Sequence, residues 1–81
     1  GVEDMTRRGD GSWLVDGRTD IHDLREELGL EADAGDFHTA AGLVLDRLAR
    51  IPAKGDHLVL GDWRIEVVEM DGKRIDKLLF I

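Results

Sequence analysis

Glu31, Asp33 and Asp36 crowd one short stretch between two hydrophobic segments. Clustered carboxylates suit a divalent cation, because hard cations take several oxygen ligands. The spacing is not that of a calcium loop: there is no D-x-[DN]-x-[DN]-G run and no glutamate closes it. A solvated acidic loop is the plainer reading, and these three residues stand as the candidate metal contact. His22, His38 and His57 fall in separate stretches, with neither i, i+4 nor H-x-H spacing, so they do not form a zinc set. Ser12 is the single serine, and no G-x-S-x-G elbow surrounds it. Cysteine is absent, which removes disulfides, thiolate metal sites and thiol nucleophiles together. There is no G-x-G-x-x-G run and no P-loop to hold a nucleotide. Arg8-Gly9-Asp10 spells an adhesion tripeptide, a match too short to carry weight. The pattern points away from an enzyme, and no cofactor is expected.

Composition bounds the partners. The 81 residues make one domain with a thin core. Net charge is −7, from 18 acidic and 11 basic residues. That balance disfavours nucleic acid, which needs a concentrated basic face, and disfavours an anionic membrane surface. No apolar run approaches the ~20 residues of a membrane helix, so direct membrane insertion is not expected. A cationic partner or a metal ion is electrostatically permitted, and the plainer reading is that the charge keeps a small domain soluble.

The elements that must position these groups follow from periodicity. Residues 1–11 show none and read as a flexible lead-in. Ser12 to Asp16 reads as a short strand, turned by Gly17 and Arg18. Thr19 or Asp20 caps a first helix carrying Ile21, Leu24 and Leu28, and Gly29 closes it. Phe37 is expected to fold back onto the core. Thr39 caps a second helix whose apolar face is Leu43, Val44, Leu45, Leu48 and Ile51, ended by Pro52. Gly42 inside that helix implies close packing, and Gly55 frees the turn that follows. Strands are expected over 57–60, 63–70 and 74–81, joined by turns at Gly61-Asp62 and Asp71-Gly72. A two-residue turn at Asp71-Gly72 sets Ile65 opposite Leu78 and Glu69 opposite Arg74. Trp13 and Trp63 are expected to fill the core. Val67-Val68 and Leu78-Leu79-Phe80 place apolar groups on both faces, which hints at a homodimer through the sheet. The expected fold is α+β: two short helices on a mainly antiparallel sheet that ends in a three-stranded meander.

The ordered set V-D-G (Val15 to Gly17), D-I-x-D-L-x-E-x-L-G-L (Asp20 to Leu30), T-x-x-G-L-V-L-x-x-L-x-R-I-P-x-K-G-D (Thr39 to Asp56), G-D-W-x-I-x-V (Gly61 to Val67) and x-R-I-x-K-L (Lys73 to Leu78) resembles the transporter-associated domain of the CorC/HlyC family, over residues 12–81. The resemblance implies a C-terminal accessory and regulatory domain of a longer hemolysin-like membrane protein, on the cytoplasmic side of the inner membrane. Its implied partners are the CBS domains and membrane region of that parent, and its implied context is magnesium and cobalt efflux. Gly42, Pro52 and Gly55 carry over as structural positions, and no catalytic residue does. The family fold is similar to part of certain flavin-binding domains. Flavin adenine dinucleotide itself is discounted, because a second subdomain and a pyrophosphate loop are missing. The alternative is a sensor for a divalent cation or an adenine nucleotide.

Overall fold

The computed structural model describes residues 4–31 and 35–81. The elements run β1 (Met5–Arg7), β2 (Trp13–Asp16), α1 (Ile21–Leu28), α2 (Ala40–Leu48), β3 (His57–Leu60), β4 (Trp63–Asp71) and β5 (Arg74–Phe80). The strands form one antiparallel sheet in the order β1-β2-β5-β4-β3. The expected α+β architecture is present. Val15, Ile65, Val67, Leu78 and Phe80 are buried from the sheet, against Leu24 of α1 and Ala40, Leu43 and Val44 of α2.

Three expectations are corrected. Met5–Arg7 lies inside the stretch read as a lead-in, yet it pairs with β2 in the register Met5↔Val15 and Arg7↔Trp13. Burial of Met5 anchors it, and a three-residue strand is too short to show a period. Residues 1–3 of that stretch lie outside the described residues. The second helix stops at Leu48, where Ala49 turns left-handed (φ 56°) and donates its N–H to the Leu45 carbonyl. Pro52 is therefore not the stop, and Ile51 stays 56% exposed instead of joining the apolar face. The last turn is Gly72-Lys73, so Asp71 faces Arg74 and Ile65 faces Phe80. A slip of two residues keeps Ile65, Val67, Leu78 and Phe80 on their expected face, which is why the apolar pattern could not detect it. Bulges between Val67 and Met70 then bring Lys77 opposite Glu69.

The helix caps form as their residue types demand. Asp20 accepts from the His22 N–H at 2.7 Å, and Gly29 closes α1 at φ 65°. Thr39 Oγ1 accepts from the Gly42 N–H at 3.1 Å. A Cβ at Gly42 would sit 2.9 Å from that of Phe37, so glycine lets α2 settle against the start of the buried Phe37 side chain. Pro52 is buried in the loop, and Gly55 (φ 95°) bonds back to the Val67 carbonyl.

The turn after β2 joins the two layers. Gly17 donates to the Asp76 carbonyl of β5 at 2.9 Å, and a Cβ there would lie 2.2 Å from the Ile75 carbonyl oxygen. The Gly17 and Thr19 carbonyls accept from Ala41 and Ala40, two first-turn N–H groups of α2. Asp16, 8% exposed, accepts from the Arg18 N–H at 2.8 Å and faces Arg18 and the Lys77 ammonium. The backbone N–H first, then the two cations, outweigh burial and hold its carboxyl at about 2, below the ordinary 3.8. Its folded pKa is depressed, so its stabilisation is present above pH ~4 and is lost as pH falls through about 2. The contribution is about 2 kcal/mol at neutral pH. Asp16→Asn should lose on that order of stability at pH 7 and flatten the slope between pH 5 and 2, as read by urea denaturation across pH.

Candidate functional site

Glu31 and Asp36 are exposed, and Asp33 lies outside the described residues. Among the described residues no three His, Asp or Glu side chains stand together to hold a metal ion. His22, His38 and His57 are each exposed. The geometry gives the candidate metal residues no assembled coordination sphere among the described positions.

The described residues line a cleft elsewhere in the fold. An open cleft of about 580 Å³ lies between the C-terminal end of α1 and the β3–β4 turn. Its apolar walls are Leu28, Leu30, Leu60, Trp63 and Ile81. Glu31 and Asp62 are the charged groups lining it, and both are exposed. Gly29 and Gly61 complete it, each with positive φ and with open space where a Cβ would stand. Trp63 is half-buried, not wholly in the core. Its ring meets Phe80 edge-on (centroids 6.2 Å apart, 73°). Its indole N–H donates to the Leu28 carbonyl at 3.2 Å. That bond ties the end of α1 to β4 and so fixes the width of the cleft. Trp13, the other tryptophan, is half-buried on β2.

The arrangement carries no nucleophile–base pair. Apolar walls with two carboxylates favour a ligand that is cationic and partly hydrocarbon, and they repel phosphate groups. The cleft is not legible along the sequence because its residues come from three separated segments, 28–31, 60–63 and 81. The available signals were the Gly29 helix stop and the Gly61-Asp62 turn, each followed by an apolar residue. Only the fold shows that these two turns are neighbours.

Comparison with known proteins follows the same architecture. The family model CorC_HlyC, described as a transporter associated domain, matches residues 6–81. The UPF0053 protein sll0260 of Synechocystis is 43% identical over 79 residues, covering 93% of this chain and 18% of that protein. The polyamine export protein of Escherichia coli K12 is 34% identical, covering 95% of this chain and 18% of its own length. The chain thus spans less than a fifth of these curated relatives. Among solved structures, the CorC_HlyC domain of a Xylella fastidiosa Temecula1 hemolysin, in complex with Mg++ and Mn++, superposes with a TM-score of 0.87 at 46% identity, covering 96% and 95% of the two chains. The transporter associated domain from a CBS domain protein of Porphyromonas gingivalis gives a TM-score of 0.83 at 32% identity, covering 96% and 95%.

Proposed function

The chain belongs to the CorC_HlyC family of transporter-associated domains, and from that premise we propose that it is a non-catalytic accessory module of a cation-transporting membrane protein. It works by contact with the CBS domains of its parent or with a second copy of itself, on the cytoplasmic side of the inner membrane. The observation that carries this reading is the outward face of the sheet. Leu14 and Leu79 stand opposite each other there, and Val59 of the edge strand is 68% exposed on the same side. Arg64 and Glu66 pair beside them at 2.8 Å. Apolar groups interleaved with paired charge suit a modest protein contact. The CBS domain protein of Porphyromonas supports the first partner. Magnesium and cobalt, implied by the resemblance, and the polyamine of the Escherichia relative share one property, positive charge, so the reading commits to cation transport.

Sedimentation of the chain, alone and with the CBS pair of its parent, tests this. Association is expected with at least one of them, and Leu79→Asp should weaken it by about tenfold or more. A chain that stays monomeric and ignores the CBS pair contradicts the reading.

A second reading, a divalent-cation sensor at Glu31, Asp33 and Asp36, is favoured by the Mg++ and Mn++ complex of the Xylella domain. Under it, magnesium or manganese raises the melting temperature, and Glu31→Gln with Asp33→Asn and Asp36→Asn abolishes the rise. An unchanged melting temperature with either metal removes it.

A further inference from the structure

We infer that the cleft between α1 and the β3–β4 turn binds a linear aliphatic di- or polyamine. The inference names a ligand for the same accessory domain, and it rests on the reading above for its role in transport. The size is right: about 580 Å³ falls within the roughly 300–1,000 Å³ of small-molecule sites. The chemistry is specific in three ways. Leu28, Leu30, Leu60 and the indole of Trp63 give a hydrocarbon stem something to lie against. The indole N–H is already taken by the Leu28 carbonyl, so the ring offers the cleft carbon surface. Glu31 and Asp62 come from different turns and give two separate anchors for ammonium groups. The cleft also sits at the C-terminal end of α1, where helix carbonyls concentrate partial negative charge and favour a cation.

Other ligand classes fit poorly. A bare divalent ion needs converging oxygens, and two carboxylates on apolar walls do not supply that shell. A nucleotide or flavin would bring phosphates against Glu31 and Asp62 with no basic group among the lining residues. A chain with ammonium groups spaced along a methylene stem satisfies the walls and the charges together. Both anchors are exposed, so binding should be modest and should weaken with salt.

The experiment is titration of the 81-residue chain with spermidine at low salt. Heat is followed by calorimetry, and the Trp63 indole N–H by nuclear magnetic resonance. Domain-sized relatives have been solved as separate chains, so the chain is a fair object for it. 1,8-Octanediol is the neutral probe and magnesium chloride the inorganic one. Glu31→Gln/Asp62→Asn tests the anchors. Glu26→Gln/Glu27→Gln makes the same change in net charge on the exposed side of α1, outside the cleft. Both pairs are exposed, and circular dichroism checks that each variant folds. The expected result is one spermidine per chain, a shifted Trp63 indole signal and no comparable octanediol binding. Affinity should fall about tenfold or more in the cleft variant and less than about twofold in the matched one. Equal losses in the two variants would mean that spermidine follows bulk charge and would overturn the site. So would a flat titration, equal binding of octanediol, or an indole signal that does not move. Association with CBS domains is read separately through Leu79→Asp, so the two readings fall independently.

Discussion

Helix α2 starts with N–H groups that no turn of its own can satisfy, and the turn after β2 satisfies them. This is the constraint the fold rests on. Ala40 and Ala41 donate to the Thr19 and Gly17 carbonyls, and Gly42 donates to the Thr39 side chain. The same turn reaches the sheet, because Gly17 also donates to Asp76 on β5. Buried donors and acceptors are costly when unpaired, so the helix layer and the sheet layer can come together only with this turn in place. Gly17 is required by space rather than by φ, since the Ile75 carbonyl lies where a side chain would begin. Asp16 and Lys77, 61 positions apart in sequence, hold the outer side of the same joint at 3.2 Å.

The joint also places the cleft. With β2 and β5 paired at the centre, β4 and β3 continue the sheet and carry the Gly61-Asp62 turn toward the end of α1. The α1 cap at Asp20 is bridged to the α2 cap at Thr39, and Ile21 donates to the His38 carbonyl. Both helices therefore start from one point. α1 then runs to Trp63, whose indole takes the Leu28 carbonyl. A site built this way is held by hydrogen bonds at both ends of α1, although each lining segment is short.

Much of this was legible in the sequence. Asp20, Thr39 and Gly29 announce helix ends through side-chain chemistry that acts within a few residues, and each sits where that chemistry requires. The Gly61-Asp62 turn is equally local, with Leu60 facing Trp63 across it. What the sequence could not show is long-range or degenerate. The slip to Gly72-Lys73 changes partners while Ile65, Val67, Leu78 and Phe80 stay on the core face. The stop at Ala49 needs a left-handed residue that is not glycine, and Pro52 nearby is a louder signal. Gly17 reads as an ordinary turn glycine until β5 is laid against it. The cleft needs three segments at once, so its acids Glu31 and Asp62 look unrelated along the sequence.

Native-state hydrogen exchange on the Ala40 and Ala41 amides addresses the joint most directly. First-turn amides of a helix ordinarily face solvent and exchange by local fraying. Here they should exchange only with global unfolding, at the same opening free energy as the Leu78 amide at the centre of the sheet. Fast exchange at Ala40 and Ala41 while Leu78 stays protected would show that α2 is held by apolar packing alone, and that the turn after β2 does not join the layers.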